Sequence, residues 1–417
     1  MRTPQRMNAC SRVCSVAVCA VVCFVLGCSP RDPEPSQGAY RATLKLPGGE
    51  APFGLQVAGG GNAYVLVLQN GDERTEVRNV EISKGELRAT FPGYENHLRA
   101  DIHRDALRGE VTLIKAGGKQ QVISFEAKLG DAPRFSADVQ APMTNVTGRW
   151  ALVLTDEEGE RTEAVAIFEQ ERNRVTGTVM TPTGDHRYLE GQINGDDLKL
   201  STFAGGLAYL YHLRLVGQAT LQGEYWQGLT WHENVSGQRN DDATLEEAEI
   251  KTSIANDVPL SFSFPDTRGA NVSLSDERFR DKVVLVTIGG TWCPNCHDEA
   301  RFLVPFYREH RDNGFEVVGL MFERHGDFDK AAAAVRGYER DLGIEFPLLV
   351  AGVAENNDAA KKLPALSGVY GYPTAILIDK QGKIRDIHTG FSGPATGKFY
   401  EEYTAEFRDK VDALLAE

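Results

Sequence analysis

Between residues 40 and 235 the chain alternates apolar and polar positions with a period of two, as in Tyr64-Val-Leu-Val-Leu68, Ala164-Val-Ala-Ile-Phe168 and Leu210-Tyr-His-Leu-Arg-Leu215. Turn signals separate these runs at Asn70-Gly71, Lys84-Gly85, Asn194-Gly195 and Gly205-Gly206. Short alternating runs between turns predict antiparallel strands with one buried face. Downstream of about residue 255 the pattern changes. A continuous apolar run at 283–288 predicts a fully buried strand, and helical spacing follows at about 298–313. Then come a strand at 316–322, a helix at 328–342, a strand at 346–350, a short helix at 358–366, two hairpin strands at 375–379 and 383–389, and a closing helix at 398–415. Strands alternating with helices and ending in a hairpin predict an α/β sheet of mixed direction. The segment at 236–254 is acidic and poor in large apolar residues, so it is the expected linker.

The β-rich half carries a sign of internal duplication. Val80-Glu-Ile-Ser-Lys-Gly-Glu-Leu-Arg-Ala-Thr-Phe91 resembles Gly191-Gln-Ile-Asn-Gly-Asp-Asp-Leu-Lys-Leu-Ser-Thr-Phe203, with Ile82 and Ile193, and Leu87 and Leu198, each 111 positions apart. Leu107-Arg-Gly-Glu110 is echoed by Leu221-Gln-Gly-Glu224. Two tandem copies of a meander are expected to close a barrel or stack as a sandwich, since one short sheet buries little alone. Trp150, Trp226 and Trp231 read as core or rim aromatics, and His97, His103, His186, His212 and His232 lack metal-ligand spacing. No catalytic cluster and no metal site are expected in this half.

The first 28 residues are different again. Arg2, Arg6 and Arg12 precede an uncharged apolar stretch from Val13 to Leu26, which ends in Val25-Leu26-Gly27-Cys28. A basic start and a short apolar stretch read as a secretory leader, too short for a comfortable membrane span. The closing tetrapeptide resembles the lipobox of bacterial lipoproteins, which implies acylation at Cys28 and a lipid-anchored protein of the bacterial envelope, outside the cytoplasm. Residues 29–39 then form a proline-stiffened tether. Losing the three leader arginines takes the formal net charge from −14 to −17. So acidic a surface excludes nucleic acid as a partner class, because phosphate binding needs basic groups.

Five of the seven cysteines, Cys10, Cys14, Cys19, Cys23 and Cys28, lie in that leader. The other two form Trp292-Cys293-Pro294-Asn295-Cys296 directly after the buried strand. Two thiols three positions apart at the start of a helix can close and reopen a disulfide, and with no other thiols in the body the pair is free for turnover. Cys293-Pro-Asn-Cys296-His297 also satisfies the c-type haem attachment spacing, but the buried strand and the lack of an evident axial partner speak against it. Zinc would need about four ligands, which one thiol pair does not supply.

The strand, the Cys-x-x-Cys motif and Gly371-Tyr-Pro-Thr374 before the next core strand together resemble the thioredoxin fold over residues 255–417. The additional helix at 328–342 and Glu299, three residues after Cys296, resemble its TlpA/ResA-like branch of membrane-anchored thiol-disulfide oxidoreductases. The resemblance implies Cys293 as the more exposed thiol and nucleophile, Cys296 as the resolving thiol, and Glu299 as its proton acceptor; an acid there could instead only steady the first helical turn. It also implies a cis Pro373 that leaves the Tyr372 backbone open to an extended substrate, with Trp292 beside the site. Implied partners are protein thiols or disulfides and an upstream thiol donor, with no cofactor and no metal. Thr287 stands where many thioredoxins have an acid, Arg301 where the branch often has proline, and Ile288-Gly-Gly-Thr291 where it is aromatic-rich. A reductase of protein disulfides is the expected function. The competing expectation is a redox-sensing or partner-binding envelope lipoprotein whose β-rich region is the working part.

Overall fold

The structure is a computed structural model that describes Met1 and residues 33–61, 63–245, 252–255, 259–355 and 358–417. The expected leader beyond Met1, Cys28, the start of the tether and residues 246–251 of the expected linker lie outside the described residues. No helix among the described residues is long and apolar enough to cross a membrane.

Among the described residues the β-rich region folds into two nine-stranded antiparallel sheets. In the first, strand Gly38–Leu46 pairs with Gly49–Ala58 on one side and with the last strand, Gln120–Leu129, on the other. The meander therefore curls into a barrel-like ring whose free edges, Glu73–Val77 and Asn79–Ser83, follow each other in the chain. The second sheet repeats the plan: Gly148–Thr155 pairs with Arg161–Glu171 and with the last strand, Trp231–Arg239. Here an added pairing of Arg161–Glu171 with Arg174–Thr181 joins the ends and closes the ring. Closure removes the unpaired strand edges at which sheets otherwise associate. The last strand carries ordered sheet to Arg239, past the expected linker start at residue 236.

The period-two pattern has its cause in these rings. His97–His103 alternates buried and exposed residues along its length. Inward positions such as Leu44, Phe53, Leu87 and Leu107 fill the first barrel, and Trp150, Phe168, Tyr211 and Leu213 fill the second. The sequence matches occupy like places. Ile82 faces Leu87 across one hairpin, and Ile193 faces Leu198 across the other. A Cβ on Gly109 would lie 2.0 Å from the Arg99 carbonyl oxygen, and one on Gly223 2.0 Å from that of His212. Each glycine thus permits the same close strand contact in its own sheet.

The C-terminal part is the thioredoxin-like α/β fold that the resemblance implied. Its five strands run in the order Leu348–Val353, Phe315–Glu323, Val283–Gly289, Thr374–Ile378 and Ile384–Thr389. The first three are parallel and the last two antiparallel. Val283–Gly289 is buried at every position, because helices Pro294–His310, Phe328–Leu342 and Lys398–Ala416 cover one face and segments near Leu260, Phe279 and Leu363 cover the other. The helix expected at 298–313 begins four residues earlier, at Pro294, and that shift positions the cysteines.

Candidate active site

Strand Val283–Gly289 carries the chain from the core to Cys293, which caps the N-terminus of helix Pro294–His310. Cys293 has extended backbone, and its Sγ accepts the Cys296 N–H at 3.2 Å, a place usually taken by a serine or aspartate oxygen. Pro294 suits the first helical position, where no N–H is needed. Cys293 and Cys296 are joined as a disulfide, with Cα atoms 5.2 Å apart. Once reduced, the Cys293 sulfur sits at the positive end of the helix dipole, which favours its thiolate.

The loop before the pair is held by its departures from the aromatic-rich pattern. The Trp292 indole N–H donates to the Phe322 carbonyl at 2.9 Å, and a Cβ on Gly290 would come within 2.3 Å of that nitrogen. Glycine at 290 therefore makes room for Trp292, which also lies edge-on to Tyr372 at 5.5 Å and under the Arg324 guanidinium at 3.8 Å. Glu323, at the end of the neighbouring strand, accepts the Thr291 N–H at 2.9 Å and its hydroxyl at 2.7 Å. Burial pushes this carboxyl up to about 7.

The Tyr372–Pro373 bond is cis, and the Tyr372 carbonyl oxygen lies 3.4 Å from Cys293 Sγ. Among the described residues nothing accepts the Tyr372 N–H. Glu299 lies one turn along the helix from Cys296, so the two share a face. It is buried and accepts a hydrogen bond from the Thr287 hydroxyl. Thus Thr287, at the position where many thioredoxins have an acid, holds the carboxylate of Glu299. Burial pushes Glu299 up to about 7, against the lowering effect of Thr287.

The β-rich region completes the site, which no spacing in its sequence announced. Asn295 Nδ2, between the two cysteines, donates to the Asp185 carbonyl at 3.1 Å. Arg187 donates to the Pro294 carbonyl at 3.2 Å and bridges Glu73 of the first barrel and Asp298 of the cysteine helix in a buried triad. Burial alone would lower the Arg187 guanidinium, yet Asp298 and Glu73 hold it well above its ordinary range. Arg301 also donates to Asp298, at 2.9 Å. Tyr94 of the first barrel stacks on His297 at 3.8 Å, and the His297 Nε2 is engaged with the Thr291 carbonyl at 2.8 Å, so this imidazole is packed as core.

One expectation is corrected by these contacts. Cys293 is not the more exposed thiol: it and Cys296 are each 3% exposed, because the second barrel covers the helix N-terminus. Trp292, Cys293, Cys296, Glu299, Tyr372 and Pro373 are all brought to one place. Asp185, Arg187, Tyr94 and Glu323 join them without any sequence signal except, for Glu323, its place at a strand end beside the loop. Among the described residues no group of three or more histidine, cysteine or acidic side chains could hold a metal ion.

The Redoxin family matches residues 254–402. The thiol-disulfide oxidoreductase ResA of Bacillus thuringiensis subsp. konkukian is 30% identical over 156 residues, covering 37% of this chain and 79% of the relative. Its namesake in Bacillus subtilis is 27% identical over 134 residues, 32% of this chain and 66% of that relative. A thiol:disulfide interchange protein of the thioredoxin family from Chlorobium tepidum, known from its crystal structure, is 23% identical and covers 40% of this chain and 99% of its own, with a TM-score of 0.29.

Proposed function

The chain belongs, through its C-terminal part, to the TlpA/ResA-like family of thiol-disulfide oxidoreductases, and from that premise we propose an exported, lipid-anchored reductase of protein disulfides acting through Cys293 and Cys296. The observation that carries this reading is the Cys293 sulfur at the helix N-terminus, accepting the Cys296 N–H at 3.2 Å beside the Tyr372 carbonyl.

In the reduced protein the Cys293 thiolate attacks one sulfur of a substrate disulfide. A mixed disulfide forms, and the other substrate sulfur leaves as a thiolate. Cys296 then gives its proton to the Glu299 carboxylate and attacks Cys293 Sγ, which closes the internal disulfide and releases the second substrate thiolate. Two electrons pass from the dithiol to the substrate. Protons from Glu299 and solvent complete the substrate thiols, and an external dithiol donor returns the pair to its reduced state.

The test uses the reduced full chain and a disulfide-linked peptide. The Cys296→Ala protein is expected to trap the peptide as a mixed disulfide at Cys293 that dithiothreitol releases, while Cys293→Ser traps none and loses turnover. Trapping by Cys293→Ser, or none by Cys296→Ala, would overturn the assignment. Anchoring is tested separately: Cys28→Ser should move the protein from the membrane fraction to the soluble fraction of fractionated cells, and an unchanged distribution removes the lipid anchor.

A further inference from the structure

We infer that the mouth of the second barrel and the redox loop form one substrate cleft, which takes an unfolded peptide segment carrying a bulky apolar side chain, and no acid, within two positions of its cysteine. This rests on the oxidoreductase reading above and adds the class of substrate it accepts.

The first observation is access. With Cys293 and Cys296 each 3% exposed, a folded partner cannot lay its surface across them. The way in is a cleft of about 360 Å³ whose lining includes Cys293, Trp292 and Tyr372 from the redox part and Leu154, Tyr209 and Trp231 from the second barrel. That volume is at the low end for small-ligand sites and admits a strand of a few residues. The barrel wall is fixed against the cis-proline loop: a Cβ on Gly371 would lie 2.9 Å from the Thr183 side chain, and one on Gly390 2.8 Å from the Thr183 backbone.

The second observation is what the walls offer. Large apolar side chains are seldom left in solvent without a use when they face each other across a cleft. Trp231 on the barrel side and Tyr370 on the redox side are each 48% exposed, and both line it. Behind the wall, the Trp231 indole N–H donates to the Tyr225 hydroxyl at 3.1 Å, which anchors the aromatic side chain. The ionisable carboxyls on the lining are Glu233 and Asp185, with neither lysine nor arginine among the lining residues. Such a wall disfavours an acidic segment or an anionic disulfide, the Arg324 guanidinium beside it being already stacked on Trp292 at 3.8 Å.

The third observation is the backbone. The Tyr372 N–H, which nothing among the described residues accepts, and its carbonyl 3.4 Å from Cys293 Sγ offer an edge to an extended chain. Strand-like pairing there would set the substrate's side chains alternately toward and away from the aromatic wall.

The experiment compares kcat/KM of the reduced full chain on short disulfide peptides that differ only beside the cysteine, with glutathione disulfide and 2-hydroxyethyl disulfide as small substrates. The phenylalanine peptide is expected to exceed the aspartate peptide and glutathione disulfide by about tenfold or more. Trp231→Ala should narrow the preference for phenylalanine over alanine, and Glu233→Gln the discrimination against aspartate. Equal rates on all peptides, glutathione disulfide ranking with the best of them, or a ranking unmoved in both variants, would overturn the cleft. The wild-type ranking alone decides if a variant fails to fold. Loss of turnover on every disulfide, 2-hydroxyethyl disulfide included, would instead overturn the oxidoreductase reading.

Discussion

Glu299 is a buried carboxyl one helical turn from the resolving thiol, and its elevation to about 7 gives it a measurable signature. Its base form accumulates as pH rises through about 7, so resolution of the mixed disulfide should accelerate over that interval. In Glu299→Gln that rise should disappear and resolution should slow by about 100-fold, read by rapid-quench release of the peptide thiol. The folding linkage has the opposite sign. Between the ordinary 4.5 and about 7 the folded chain keeps a proton that the unfolded chain has lost, so the Glu299 contribution to stability declines as pH rises across that window. Urea titrations should therefore show a smaller pH-dependent decline in Glu299→Gln. Glu299 was legible in the sequence only through its spacing from Cys296. That Thr287 would hold its carboxylate could not be read, because strand and helix meet only after folding.

At the scale of elements, Gly109 and Gly223 make a paired test of the two sheets. A methyl group at either lies 2.0 Å from a carbonyl oxygen of the adjacent strand, so Gly109→Ala and Gly223→Ala should each lose about 1–3 kcal/mol or more by urea unfolding, with similar values. Markedly unlike losses would mean that the two positions are not equivalent. Where local chemistry dictates an element, the sequence was readable. Helix Phe328–Leu342 starts at Asp327, whose side chain accepts the Lys330 N–H, and stops at Gly343, whose φ of 67° suits glycine. Where local chemistry is ambiguous, boundaries moved. Cys-Pro-Asn-Cys carries no apolar periodicity, so periodicity alone predicts a helix start four residues late. Strand Leu348–Val353 begins after Pro347, which has no N–H to give a ladder.

At the scale of the whole molecule the decisive fact is that the dithiol faces its own β-rich region. Nothing in either half's pattern could show this, since Tyr94, Asp185 and Arg187 are separated from the cysteine helix by more than a hundred positions and follow no motif. The reduced protein should accordingly react at Cys293 with N-ethylmaleimide faster than with a polymer-linked maleimide, by about tenfold or more beyond the ratio seen in urea, as followed by mass spectrometry. A ratio equal to that in urea would mean that the barrel does not restrict approach. The triad of Glu73, Arg187 and Asp298 carries a different consequence, for protein engineers. Redox modules are tempting cassettes to exchange between scaffolds, but here a donor module without an acid at the place of Asp298 would leave Arg187 stranded beside a single carboxylate. A workable chimera has to bring its own counter-charge, or carry a neutral residue at 187 and at 73 as well.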